Sequence, residues 1–243
     1  MKAGDKDSRF VTRVMPWLVM LLVVVAVIMA AVRLVINPWF VEFEYRTPDF
    51  PSDPYGFTLQ DRLKYSKIAI DYLLNSAGIS FLGDLRFPAG EQTPAQTCAT
   101  MTDCTHLYND RELKHMLDVK NVIQAALRIW YASLGALVLL GVWAWRGKWM
   151  DSFKRGLSLG GWMTIAVLFI VILFVLFGFD TFFVLFHDVF FQPGTWMFLY
   201  SDTLIRLFPE RFWRDTFMVV GGIAVVISLL LALGFRMKEK KAV

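Results

Sequence analysis

Residues 109–120 read NDRELKHMLDVK and run directly into an apolar stretch at residues 122–145. Asn109 with Glu112 three positions on has capping-box spacing, which predicts that a helix begins here. On that helix Glu112, His115 and Asp118 recur at intervals of three, so an imidazole sits between two carboxylates on one face. The face lies roughly one to two turns before the chain becomes apolar. Two readings fit the motif: chemistry at a membrane surface, or an ordinary polar turn at an interface.

Composition narrows the class. Hydrophobic residues make up 56% of the chain and charged ones 19%, and the mean hydropathy is +0.50. A soluble domain of this size is less apolar, so the expectation is an all-α polytopic membrane protein. The net charge of +4 does not mark an acidic partner such as nucleic acid, because the basic residues gather at the ends of the apolar runs.

Four runs reach spanning length: residues 15–36, 122–145, 157–179 and 216–235. The first competes with a signal peptide. It is long for a signal core, and Asn37-Pro38-Trp39-Phe40 follows it where a small-residue cleavage site would be needed. Pro16 is expected in the first helical turn, where a missing N–H costs nothing. Lys2, Lys6, Arg9 and Arg13 precede the first run. Arg146, Lys148, Lys154 and Arg155 join the second to the third, and Arg236, Lys238, Lys240 and Lys241 follow the fourth. Four spans put all three groups on one side, and that side is expected to be cytoplasmic. Arg128, inside the second run, is read as a snorkelling charge.

This layout divides the chain into an N-terminus with span one (1–36), an extracytoplasmic cap (37–121) and spans two and three with their basic loop (122–179). A second outer segment (180–215) and the last span with its tail (216–243) follow. The cap is too long for a plain loop and should fold. Residues 58–76 carry apolar positions at helical spacing behind Thr58 and Asp61, with Gly78 able to close the helix. Residues 83–107, rich in Gly, Pro, Thr and Gln, read as a loop. They hold the chain's two cysteines, Cys98 and Cys104, with His106 near them. A disulfide is the plain reading outside the cytoplasm. A metal site from the same three residues lacks a fourth ligand and a familiar spacing, and free thiols complete the alternatives.

The second outer segment places His187-Asp188 among Phe182, Phe183, Phe186, Phe190 and Phe191, followed by a Gln192-Pro193-Gly194 turn. Ser201 or Asp202 can start a short helix, and Pro209 can open the next one. Aromatic belts commonly anchor proteins at the interface, but a polar ring among phenylalanines is costly unless it has a task. His115 and His187 are expected at similar depth, where two imidazoles can divide the roles of base and acid. There is no HExxH and no CxxC pair to support zinc or dithiol chemistry.

The stretches NDRELKHMLDVK, FHDVFF (186–191) and WMFLYSDTLIRLFPERFW (196–213) resemble the motifs of the lipoprotein intramolecular transacylase family of four-span bacterial membrane proteins. The resemblance leaves out the 83–107 loop. It implies four transmembrane helices with a small, mainly helical extracytoplasmic cap in the bacterial cell membrane. It also implies an acyl shift from the middle glycerol carbon of a diacylglyceryl lipoprotein to its own N-terminal cysteine amine. The implied catalytic residues are His115 and His187. Glu112, Asp118 and Asp188 are the expected partners that fix their tautomers, and Lys120, Arg206 and Asp202 the expected supporting groups, with Lys120 or Arg206 facing the oxyanion. Phe186, Phe190, Phe191, Trp196 and Trp213 are expected to enclose the substrate. No cofactor is implied; the partners are the lipoprotein N-terminus and membrane lipid, with the protein a monomer. The competing functions are a membrane lipid acyl hydrolase or intermolecular acyltransferase, and a non-catalytic membrane partner of exported proteins or lipids.

Overall fold

The structure, a computed structural model, describes residues 3–236, with side chains from residue 11 onward. The side chains of Lys2, Lys6 and Arg9, and residues Lys238, Lys240 and Lys241, which enter the orientation reading, lie outside the described part. The described chain is an all-α membrane protein. In order it forms α1 (Ala3–Val35), α2 (Pro38–Glu44), α3 (Leu59–Leu74), α4 (Ser80–Gly83), α5 (Ala95–Cys98) and α6 (Asp110–Arg146). Then come α7 (Met150–Phe177), α8 (Phe179–Phe190), α9 (Thr203–Leu207) and α10 (Glu210–Gly234). Four of these, α1, α6, α7 and α10, are long and apolar enough to cross a membrane.

One compact unit holds residues up to Leu34, Ala126–Phe174 and the chain from Met218 on. Its core joins Val19, Val23, Val27 and Ala31 of α1 to Leu168 of α7 and Ala224 of α10. Bilayer hydrocarbon is as apolar as leucine, so close packing decides where such helices meet. Glycines mark those places. A Cβ at Gly156 or Gly160 would come within 2.6 or 2.5 Å of the Cβ of Val19 or Val23, and one at Gly161 within 2.5 Å of the Ser228 carbonyl. The crossings are tied by Ser158 Oγ to the Ala232 carbonyl and Trp130 Nε1 to the Ala26 carbonyl. Outward-facing Val138, Leu139, Phe169 and Leu230 stay exposed, as lipid-facing side chains must.

The other unit is Val35–Ala125 with Val175–Phe217. Asn37 caps α2 through the Trp39 N–H, with Pro38 at the first helical position. Thr58 and Asp61 form the capping box of α3. Tyr65, Ala69 and Tyr72 of α3 pack with Phe57, Leu82, Phe87, Leu107, Tyr108, Met116, Leu204 and Leu207 into one buried cluster. This cluster is the cap's hydrophobic core.

Several expectations change. Pro16 lies inside α1, because the helix continues back through the charged flank to Ala3 instead of starting at the apolar run. The third run ends at Phe177. Gly178, at φ −156° and ψ 48°, interrupts the helix before α8. Asn75, not Gly78, closes α3. The basic connection between α6 and α7 shrinks to residues 147–149 because α7 starts early. Residues 83–107 are no free loop. They contain α5, the Arg86–His106 bridge and the Cys98–Cys104 disulfide, with Cα atoms 5.0 Å apart. His106 holds the Gly83 carbonyl through Nδ1 at 2.9 Å.

Candidate active site

The start of α6 is fixed by a reciprocal cap. The Asn109 N–H donates to Glu112 Oε2 at 2.9 Å, and the Glu112 N–H donates to Asn109 Oδ1 at 3.0 Å. The second Glu112 oxygen accepts the Leu204 N–H at 2.7 Å, so this fully buried carboxylate ties the starts of α6 and α9 together. Asp202, also fully buried, collects the Leu199 N–H, the Thr97 hydroxyl, Asn109 Nδ2 and Arg111 Nη2. For Glu112 the reason is local and electrostatic, since orphan N–H groups at helix starts are best met by carboxylates. Asp202 is held instead by side chains and one turn N–H.

One turn beyond Glu112 stands His115, 8% exposed, with its ring 4.9 Å from Phe191 and 5.3 Å from Phe198 between centroids. Its Nδ1 is buried and has no hydrogen-bond partner. His187, on α8, is 9% exposed and lies among Phe183 at 4.1 Å, Trp196 at 4.6 Å, and Phe186 and Phe191 at 5.7 Å. The two imidazoles face one another at 6.2 Å between centroids, 23° from parallel, and Phe191 touches both. Histidines 72 residues apart in sequence (187 − 115) thus share one aromatic enclosure.

The two rings differ in their bonding. His187 Nδ1 lies 2.7 Å from the Phe183 carbonyl, which can only accept, so Nδ1 carries the proton. In the neutral ring Nε2 is then left with its lone pair. Burial lowers the His187 pKa below its ordinary value, against the opposing pull of the Phe183 carbonyl and of Asp188. The ring is therefore neutral near pH 7.

Most expected supporting groups are engaged elsewhere. Glu112 is spent on two backbone N–H groups, and His115 Nδ1 bonds neither to it nor to Asp118. Asp188 reaches His187 only through space, since a carbonyl one turn back is nearer to the ring nitrogen. Lys120 bonds Asn75 Oδ1 and the Ala77 carbonyl and lies 4.0 Å over the Tyr72 ring. Arg206 pairs with Asp53 at 2.9 Å, reaches the Tyr55 carbonyl and covers Phe57. Both cations hold the cap together, though Arg206 Nη1 is buried without a hydrogen-bond partner. Trp213 is in the second rank, with its ring 6.4 Å from Phe183. Phe186 and Phe190, 5.0 Å apart, form the exposed rim.

Sequence reading did not single out Phe198, Asp53 or Thr97. Phe183 carried a usable signal, its i, i+4 spacing to His187 on one helix. The other three had none, because their partners are distant in sequence.

The family model described as lipoprotein intramolecular transacylase Lit matches residues 17–213. A relative from Aquifex aeolicus (strain VF5), described as an uncharacterized protein, is 30% identical over 198 residues, 82% of each chain. The in meso structure of the membrane integral lipoprotein intramolecular transacylase Lit from Bacillus cereus is similar, with a TM-score of 0.69 and 21% identity over 91% of this chain and 94% of that one. A variant of that protein with one histidine replaced by alanine gives a TM-score of 0.71 at 19% identity over 96% of both chains. These structures share the fold, and the family match covers the cap, the histidine-bearing segments and three of the four spans. The chain belongs to the lipoprotein intramolecular transacylase family.

Proposed function

We propose that the protein moves an acyl chain within one diacylglyceryl lipoprotein, from the middle glycerol carbon to the α-amine of the N-terminal cysteine. One observation carries this reading: two buried histidines share an aromatic enclosure, one with a lone pair at Nε2 and the other with an unpartnered Nδ1. The path from the amine through Cα, Cβ, sulfur, two glycerol carbons and the ester oxygen to the carbonyl carbon closes an eight-membered ring. Such a closure needs no protein nucleophile. It needs its ends held together, and good orientation can contribute several of the ~7–11 kcal/mol available from proximity.

In the reaction the neutral amine nitrogen adds to the ester carbonyl carbon. His187 Nε2 takes the proton that this nitrogen releases, and His115 Nδ1 accepts the amine's other N–H and so aims the lone pair. Two imidazolium charges at this spacing repel, so the pair works with a single proton. The tetrahedral centre collapses, the bond from carbonyl carbon to glycerol oxygen breaks, and the proton passes to that oxygen. The products are an amide and a hydroxyl, with no change in mass. Phe186, Phe190, Phe191 and Trp196 exclude water, which would otherwise compete with the amine.

The enclosure is assigned to the extracytoplasmic face of the bacterial cell membrane and both termini to the cytoplasm, on the strength of the clustered basic residues. The protein acts as a monomer and without a cofactor. A synthetic diacylglyceryl-cysteine peptide in detergent tests the activity: its reactive amine should disappear while its mass stays constant. His115→Ala and His187→Ala should each lower the rate about 10²–10⁴-fold, non-additively, while His106→Ala behaves like wild type. Gain of water with release of free fatty acid would replace this reading with hydrolysis. Full activity in either histidine variant would remove the two-histidine mechanism.

A further inference from the structure

We propose that the indole N–H of Trp196 donates the hydrogen bond that holds the substrate's ester carbonyl oxygen as it becomes an oxyanion. The proposal rests on the transacylase reading and adds a catalytic residue to it. Its starting point is an imbalance: Trp196 Nε1 is buried and makes no hydrogen bond. Buried N–H groups nearly always have a partner, so an orphan within a candidate site asks for a ligand atom. An indole N–H can only donate. It can serve neither as base nor as a receiver of the amine proton, so the atom it awaits is an acceptor. In an acyl shift the acceptor that gains charge is the carbonyl oxygen.

The chain builds this position deliberately. After α8, residues 192–195 turn back, with Gly194 at φ +81° and the Thr195 N–H and hydroxyl both donating to the Gln192 carbonyl. Only glycine takes that backbone conformation without strain. The turn returns Trp196 over its own helix, 4.6 Å from the His187 ring and 6.3 Å from Phe183. The donor is thereby carried on the ring that packs against the proposed base. Of the cations that could compete for the role, Lys120 is held by Asn75 and Ala77 and Arg111 by Asp202. Arg206, paired with Asp53, keeps a buried Nη1 without a partner but lies over Tyr55 and Phe57, whereas Trp196 lies against His187. A neutral donor also suits the place, because it brings no charge to bury beside a histidine that must receive one.

The step balances. As the amine lone pair forms the N–C bond, the carbonyl π pair moves onto oxygen, where the indole N–H meets it. On collapse that pair reforms C=O, and the C–O bond to glycerol breaks. The glycerol oxygen receives the proton lost by nitrogen. Nothing enters or leaves.

The experiment replaces Trp196 in the full-length protein with 3-benzothienylalanine, which keeps the bicyclic shape and lacks the N–H, and compares it with Trp196→Phe. Isobaric transacylation of the diacylglyceryl-cysteine peptide is followed for kcat and KM, with the melting temperature measured alongside. Removing one such donor costs about 10²–10³-fold in kcat. That loss is expected in the isostere, with KM nearly unchanged and melting at or above the wild-type temperature, because the free protein loses no hydrogen bond. Wild-type kcat in the isostere overturns the proposal and leaves the transacylase reading standing. A loss confined to KM, or matched by a lower melting temperature, overturns it too, by assigning the indole to ground-state binding or to packing. An inactive wild type removes the transacylase reading and this donor with it.

Discussion

His187 illustrates how much a single hydrogen bond decides. Its Nδ1 is held by the Phe183 carbonyl one turn back on α8, which selects the tautomer without help from Asp188. The pKa is lowered from 6.5, mainly by burial, so the neutral ring persists to more acidic pH than for an exposed histidine. A pH dependence follows. The substrate amine must be neutral, so log(kcat/KM) should fall with slope one below the amine pKa, about 7.7–8.0. It should steepen to slope two only below pH 6.5, where His187 becomes protonated. Asp188 raises the His187 pKa by charge alone, so Asp188→Asn should move the lower break to more acidic pH and leave the upper one in place. An unmoved lower break would mean that His187 is not the group titrating. Lys120 and Arg206 show the converse at this scale. A charge near a site is available to it only if nothing closer has claimed it, and both are claimed by the cap.

At the scale of elements, the cap is joined through helix ends. Glu112 accepts one N–H from the start of its own helix and one from α9, and Asp202 gathers donors from α5, α6 and its own turn. The hydroxyls of Thr97 and Ser201 meet at 2.9 Å beside them, which draws the disulfide-bearing segment into the same junction. Glu112→Gln is isosteric, but its amide nitrogen would face a backbone N–H and leave that donor unpaired. The expected loss of stability is about 1–3 kcal/mol, read as a lower melting temperature in detergent, with the histidines still in place. His115→Ala removes a ring whose Nδ1 bonds nothing and should spare that junction. If Glu112→Gln melts with the wild type, the carboxylate is not the tie between α6 and α9.

For the whole molecule, the governing constraint is that every backbone polar group within hydrocarbon must be satisfied internally, which limits spans to helices or closed barrels. Four helices qualify by length and composition. Their basic flanks are the support for the proposed cytoplasmic placement of both termini and the α6–α7 connection. In a Cys98→Ser, Cys104→Ser background, Lys148→Cys lies in that connection at an exposed position, and Glu91→Cys lies on the surface of the cap segment. A membrane-impermeant thiol reagent applied to intact cells should label the cysteine at 91 and spare the one at 148. The reverse pattern would invert the protein and move its histidines to the cytoplasmic face.

The amino-acid sequence by itself determined the features that repeat locally. Apolar runs of spanning length, the Thr58–Asp61 and Asn109–Glu112 caps and the turn at Gly194 depend on neighbours within a few residues. Their physics is contained in short windows. The resemblance of its motifs carried the family. Only the tertiary structure decided which polar groups are spent and which are left over. Glu112, Asp118, Lys120, Asp188, Asp202 and Arg206 look alike as candidates along the chain. Glu112 meets Leu204 across 92 positions and Arg206 meets Asp53 across 153, and no local pattern encodes such pairs. An unpartnered atom is a property of everything around it. His115 Nδ1 and Trp196 Nε1 therefore became visible only once every neighbouring donor and acceptor had been placed.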